Sequence, residues 1–388
     1  MRESTAASPV PSSAPSPANV PHASAPKRMP GAAFPYRLTR MGVVMTPEPG
    51  NTLEAEGVLN PGSGHTPDGT LCLLPRLVAT GNVSRVGLAR VIITDGVPTG
   101  VEREGVVLEP DQGWERGAHN AGVEDPRVTF VPRLGLHVMT YVAYGPLGPR
   151  TALAVSADLR SWRRLGPVLF AFDEALDMDL NLFHNKDTVF FPEPVTGPNG
   201  VESFAVLHRP MWDLGEVKPG EGIRVPAGVT DTRQSIWISY VPVADVLADV
   251  TKLSFWSGHR FLAGPEFAFE ELKIGGGPAP LRVPEGWLLL HHGVTGVIDG
   301  AFSQQQKVNY AAGAMILDAD DPTIVLQRTS EPLLKAETPD ELSGIVPNVV
   351  FPTAIEEVEG RQYVFYGMAD SKIGVARLDR TTLDPTDG

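Results

Sequence analysis

Glycine and proline fall so often along this chain that a long helix has nowhere to run. Of 388 residues, 40 are Gly and 37 are Pro, and the stretches between them are short and rich in Val, Ile, Leu, Tyr and Phe. Short β-branched and aromatic runs bounded by turn formers read as strands, so the expected class is all-β. Helical periodicity is weak throughout, and its best instance, "VPVADVLADV", is too short to build a core.

One strand pattern with small residues at its centre returns five times: "SRVGLARVIITD", "RTALAVSADL", "QSIWISYVPV", "NYAAGAMILDAD" and "SKIGVARLDR". The copies lie roughly 60 to 85 residues apart, with further strand-like runs such as "LHVMTYVAY" and "GWLLLHHGV" between them. About four strands per copy predicts a five-bladed β-propeller. A pair of β-sandwiches, or a propeller with more and shorter blades, would be punctuated in a similar way. The predicted propeller occupies residues 34–388 as a single domain. Residues 1–33 are rich in Ser, Pro and Ala and too poor in large apolar groups to bury a core, so they are expected to be a disordered tail.

The formal net charge of −14 excludes a broad basic face for nucleic acid or an anionic membrane, and no apolar run is long enough to span a bilayer. The tail lacks the apolar centre of a secretory signal, and the single cysteine, Cys72, sits in the apolar run "TLCLLPRLVA". A reducing, cytoplasmic setting follows, in which the sequon at Asn82 is inert. Any anion bound by so acidic a chain must meet a local cluster of cations.

Charge gathers at the predicted strand starts. In "AGVEDPRVTF" the proline fixes the backbone and holds Asp125 in a defined pose, while a local Asp125–Arg127 ion pair is the simpler alternative. "FHNKDTVFFPEP" offers His184, Lys186 and Asp187, and "VLHRPMW" offers His208 and Arg209. Each taken alone fits a solvated turn or strand end. Taken together, Arg85, Arg127, Lys186, His208 and Arg209 stand at edges of successive predicted blades, where a propeller would converge them on an anion such as phosphate.

Other signals exclude more than they propose. "KIGGGPAPL" lacks the ending of a P-loop and reads as a tight turn or a close backbone approach to ligand. His291 and His292 are adjacent in a strand, hence on opposite faces, and cannot chelate a metal together. "DADDPT" lacks the glycine and distal glutamate of a calcium loop, and no serine-hydrolase or zinc-protease motif is present.

With "GVEDPRVTF", "HNKDTVFFPE", "LHRP", "IGGGPAP", "VPNVVFPT" and "YGMADSKIGVA" in that order, the chain resembles glycoside hydrolase family 130, the β-mannoside phosphorylases and related β-mannosidases. The likeness runs from Gly57 to Leu378. "VSADLRSW", with Ser156, Asp158, Leu159 and Trp162, is also similar to the wider group of five-bladed glycosidase propellers. The resemblance implies a site at the axial funnel, acting on β-mannosides with inversion. Its general acid falls on Asp125, which the resemblance implies reaches the glycosidic oxygen through a hydroxyl of the bound mannose. Sugar contacts fall on Asn60, Asp187, Asp370 and Tyr310, and phosphate contacts on Arg85, Arg127, Lys186 and His208. Inorganic phosphate as co-substrate needs a cationic cradle, no base, and neither metal nor organic cofactor. Water in its place needs a second carboxylate about 6.5–9.5 Å from the first, for which Glu193 is a candidate. The retained basic residues favour phosphorolysis. Long loops around "SGHTPDGT" and "DLGEVKPGEGIRVPAGVTDTRQ" leave the linkage and the acceptor sugar open, and the sequence gives no reading of oligomeric state.

Overall fold

The computed structural model describes residues 33–212, 220–222, 224–298 and 305–381. Residues 1–32 of the expected tail, and part of the long loop after His208, lie outside these described residues. The class is all-β, and the helices among the described residues are short, the longest being Val243–Ala248 at the "VPVADVLADV" segment.

Strands of four or more residues fall into antiparallel groups of four. The first strand, β1 (Tyr36–Met45), is set aside for the last group. The first group is β2 (Gly57–His65), β3 (Leu71–Ala79), β4 (Val83–Thr94) and β5 (Val97–Leu108), and the second is β6 (Ala121–Val131), β7 (Leu136–Gly145), β8 (Gly148–Ser156) and β9 (Arg163–Pro167). The third comprises β10 (His184–Phe190), β11 (Glu202–Met211), β12 (Ile236–Pro242) and β13 (Phe255–Ala263). The fourth comprises β14 (Lys273–Gly276), β15 (Gly286–Val297), β16 (Lys307–Leu317) and β17 (Val325–Arg328). The fifth runs β18 (Val350–Val358), β19 (Arg361–Met368), β20 (Lys372–Arg380), and is completed by β1, which pairs with β20 from Tyr36↔Arg380 onward. By hydrogen bonding these form four sheets and not five, because a short parallel bridge, Val83↔Ala121 and Ser84↔Gly122, fuses the first two groups. Every copy of the sequence pattern is the third strand of its group.

Apolar residues pack between successive groups. Cys72, Leu74, Val86, Met139 and Tyr141 join the first to the second, and Leu153, Phe190, Trp237 and Trp256 the second to the third. Leu207 and Ile238 meet Trp287 and Leu289 at the next seam. Leu290 and Ile316 meet Val364 and Leu378 at the one after, and Val58, Leu71 and Leu73 meet Tyr363, Phe365 and Val375 at the last, so the fifth group packs on the first.

An acid–arginine clasp recurs with the groups. An acid just ahead of each group's first strand binds an arginine on its outermost strand. Arg103 Nε lies 2.8 Å from Glu54, Arg164 Nε 2.9 Å from Glu115, Arg260 NH1 3.7 Å from Asp173, Arg328 NH2 2.7 Å from Glu270, and Arg40 Nε 2.8 Å from Glu341. The four glutamates are buried. The clasp has no sequence signature of its own, because the paired residues are dozens to hundreds of positions apart.

Candidate active site

The first strand of several groups is broken by a bulge. In β2 the register slips between Leu59 and Gly62, in β6 between Glu124 and Arg127, and in β10 between Lys186 and Val189. Each slip carries one residue in the left-handed region: Asn60 (φ 44°), Asp125 (φ 47°) and Asp187 (φ 52°). Asn and Asp tolerate this conformation better than other side chains, at roughly 1–3 kcal/mol each. Two of the three precede a proline, which cannot supply a ladder hydrogen bond and so sits naturally at a bulge. Asp125-Pro126 and Lys186-Asp187 therefore lie inside strands, not at strand entrances as the sequence suggested. The bulges turn Asn60, Asp125 and Asp187 out of the pleat and towards one another.

Asn60 Nδ2 donates to Asp125 Oδ1 at 2.9 Å, and Arg76 NH1 donates to the same oxygen at 3.0 Å. Arg76 also binds Glu124 Oε1 and Asn82 Oδ1 through NH2, both at 2.9 Å, and Ser84 Oγ through Nε at 2.9 Å. Lys186 Nζ stands 3.5 Å from Glu124 Oε2 and over the Tyr144 ring. The Asp125–Arg127 pair, the simpler alternative from the sequence, is not formed: Arg127 NH1 donates to Pro352 O at 3.0 Å, and its guanidinium lies over Phe351. Burial would push the Asp125 carboxyl up, but Arg76, Lys186, the Asn60 amide and Arg127 outweigh it and hold it below the ordinary range.

Asp187 anchors the other half. Arg209 Nε is 2.5 Å from its Oδ2 and His292 Nε2 is 3.4 Å away. Against the cost of burial, Arg209, His292 and Arg127 keep this carboxyl well below the ordinary range, while burial pushes the His292 imidazole down to about 4. Gly275 makes room: a Cβ there would sit 2.1 Å from Asp187 Oδ2 and 2.5 Å from His292 Cε1. The close backbone approach expected of "IGGGPAP" is thus to a side chain of this cluster. Tyr310 packs its ring 5.7 Å from that of His292 and 5.9 Å from that of Phe351. Asp370, also left-handed (φ 48°), is pushed up to about 7 by burial and by Asp125 and Glu124, against the pull of Arg76.

Two expected anion ligands stand elsewhere. Arg85 donates to Glu109 Oε2 at 2.9 Å, outside the cluster. His208 is fully buried, with Nδ1 3.0 Å from Asn185 Nδ2 and Nε2 2.8 Å from Ser239 Oγ, so neither ring nitrogen is open to a ligand. Adjacent strand residues face opposite ways, and it is Arg209 that points into the site. Glu193 is exposed beyond the far end of β10, six residues past Asp187 and on the order of 20 Å along an extended chain.

Two arginines escaped the sequence reading. Arg76 was hidden in "TLCLLPRLVA", where a charge inside an otherwise apolar strand was the available signal. Arg150 lines a cavity of about 520 Å³ whose walls include Trp114, Phe170, Asn181 and Asn185, next in sequence to Lys186. It donates to Asn181 O at 2.8 Å and Phe183 O at 2.9 Å, and no carboxylate among the described residues pairs with it. Among those residues, no group of three or more His, Cys, Asp or Glu is placed to hold a metal ion, and no helix is long and apolar enough to cross a membrane.

Comparison with known proteins bears on this geometry. A 1,2-β-oligomannan phosphorylase of Thermoanaerobacter sp. (strain X514) is 30% identical over 66% of this chain and 68% of its own length. A β-1,4-mannooligosaccharide phosphorylase of Ruminococcus albus is 28% identical over 73% of this chain and 70% of its own. A solved structure from work on glycoside hydrolases of this family that target β-1,2 mannosidic linkages in Candida mannan superposes with a TM-score of 0.65 at 25% identity, covering 91% of this chain and 96% of that one. The family model described as β-1,4-mannooligosaccharide phosphorylase matches residues 68–215 and 229–386, well over half the chain. The chain belongs to glycoside hydrolase family 130, whose named relatives are mannoside phosphorylases.

Proposed function

We propose that this protein is a five-bladed propeller that cleaves short β-mannosides by inverting phosphorolysis, releasing α-mannose 1-phosphate. The five groups of four strands, the apolar seams joining each to the next and the five clasps support the blade count. One observation carries the choice of phosphate over water. Four cations, Arg76, Arg127, Lys186 and Arg209, face the carboxylates Glu124, Asp125 and Asp187, while burial shifts Asp370 towards its neutral form, and donors on Arg127 and Arg209 have no partner among the described residues. In a chain of net charge −14 this local excess suits an anionic co-substrate. A hydrolase needs an ionised carboxylate free to activate water. Glu124 and Asp187 are tied to cations, and Glu193 is remote.

Asp125 serves as the acid. In the free site its surrounding cations keep it ionised, which is the wrong state for donating a proton. A phosphate dianion entering beside Lys186, with Arg150 on its far side, offsets those cations and raises the Asp125 carboxyl, so the acid is loaded when the nucleophile is in place. The proton then passes, through a hydroxyl of the bound mannose, to the glycosidic oxygen as phosphate attacks the anomeric carbon from the opposite face. Asn60, Asp187, Asp370 and Tyr310 are assigned to the mannose, whose hydroxyls would be held by the bulge residues. Arg127, buried under Phe351, contributes its field from below. The cytoplasm is the proposed compartment, consistent with a buried, unpaired Cys72.

The test is product analysis with β-1,2- and β-1,4-mannobiose, with and without inorganic phosphate. Phosphate-dependent mannose 1-phosphate supports the proposal; free mannose independent of phosphate overturns it. Asp125→Asn, which removes the proton and little volume, abolishes turnover while mannobiose still binds.

A further inference from the structure

A buried chain of hydrogen bonds leads away from the cavity wall, and its direction can be worked out link by link. His259 Nε2 is 2.9 Å from Ala171 O; a carbonyl only accepts, so Nε2 carries the proton. Burial pushes His259 down, so the ring is neutral and its Nδ1 is an acceptor. Ser239 Oγ, 2.8 Å from that nitrogen, must donate to it. The serine oxygen is then the acceptor for His208 Nε2 at 2.8 Å. Burial, with a contribution from His259, also keeps His208 neutral, so its Nδ1 accepts, and the partner at 3.0 Å must be the amide nitrogen of Asn185. A backbone carbonyl four links away thus fixes which way the Asn185 amide faces.

The consequence falls on Asn185 Oδ1. Asn185 is 2% exposed and lines the cavity that holds Arg150, and among the described residues its Oδ1 has no hydrogen-bond partner and Arg150 has no carboxylate partner. A buried acceptor left without a donor costs free energy that a ligand hydroxyl would recover. Arg150 beside it asks for negative charge. Monohydrogen phosphate carries both, a P–OH donor and anionic oxygens, whereas sulfate at neutral pH carries only the second.

Resting on the phosphorolysis proposed above, we infer that Asn185 accepts a hydrogen bond from the protonated oxygen of monohydrogen phosphate, selecting it over sulfate, and that His208, Ser239 and His259 act as positioning residues that hold the amide in this sense. The expected phosphate ligand His208 thereby acts through its neighbour.

The experiment is calorimetric titration of the full-length protein with inorganic phosphate and with sulfate at matched ionic strength near pH 8. The wild type is expected to bind phosphate at least about tenfold more tightly than sulfate, the scale of one hydrogen bond to a charged group. In Asn185→Ala the ratio falls towards one. Ser239→Ala keeps Asn185 but releases the relay, and it lowers the ratio as well; a merely structural serine would lower the melting temperature and leave the ratio alone. An unchanged ratio in both variants, or equal binding of the two anions by the wild type, overturns the inference. An unchanged ratio with a raised KM for mannobiose in Asn185→Ala assigns the acceptor to a sugar hydroxyl instead, and also overturns it. If phosphate does not bind and mannobiose yields free mannose, it is the phosphorolysis reading that has failed.

Discussion

Gly275 and Gly276 are neighbours in β14, and they should respond to the same substitution in opposite ways. A Cβ at Gly275 would lie 2.1 Å from Asp187 Oδ2, whereas ordinary contact begins at 3.4 Å, so the carboxylate must retreat by about 1.3 Å or the strand must move. The carboxylate is also held by Arg209 at 2.5 Å and faced by His292, itself only 2.5 Å from the new methyl. A displacement on the order of 1 Å at a site-building group costs roughly a hundredfold in turnover. Overpacking adds about 1–3 kcal/mol of lost stability. At Gly276 the same methyl meets only Asp187 O, at 3.4 Å, and should be accommodated. Neither glycine has a positive φ, so backbone strain does not confuse the comparison. We expect kcat/KM on mannobiose to fall about a hundredfold in Gly275→Ala and less than about threefold in Gly276→Ala. If Gly275→Ala stays within twofold of the wild type while folded, the position of Asp187 does not depend on the missing side chain and the site as described is wrong.

Three further outcomes follow from the same contacts. Arg76→Met leaves Glu124 and Asp125 as buried carboxylates without their main cation, and should cost about 3–5 kcal/mol in denaturant unfolding; a loss below about 1 kcal/mol would mean that the arginine is not their principal partner. Glu270, held at about 2 by His291 and Arg328 against the cost of burial, is depressed in the folded state, so its contribution is present above its ordinary value of 4.5 and lost as pH falls towards 2. The deficit of Glu270→Gln should be about 3 kcal/mol at pH 6–7 and shrink by pH 3, and a pH-independent deficit would contradict the linkage. Asp370, raised to about 7, carries the opposite sign: its contribution is present below about 4 and lost as pH rises through 7, so the melting temperature of Asp370→Asn should gain on the wild type between pH 5 and pH 8.

Much of the fold could be read because glycine, proline and apolar runs act locally. The small-residue pattern marked the third strand of every group, since that strand packs on both faces and cannot vary freely. The bulges could not be read. Strand periodicity breaks where Asp125 and Asp187 turn out of the pleat, and a broken period looks like a strand end, which is how both residues came to be placed at entrances. The same alternation of faces that separated His291 from His292 also separates His208 from Arg209. His291 binds Glu270 and His292 faces Asp187; the rule applied to one pair would have removed His208 from the cradle. Arg76 and Arg150 were missed for a different reason: a cation in an apolar strand is silent until the fold shows what it faces.

The pairing of β1 with β20 also sets when this protein can fold. Tyr36 meets Arg380, so β1 waits for β20, more than 300 residues later, and the seam between the fifth and first groups cannot form before β20 has been made. Until then both sides of that seam, including Val58 and Leu73 at one edge and Phe365 and Val375 at the other, remain uncovered apolar surface. Contacts this distant in sequence are slow to form, and exposed strand edges invite association with other chains. The nascent chain therefore carries an aggregation hazard on both sides of that seam, and closing it should be a late, concentration-sensitive step of refolding.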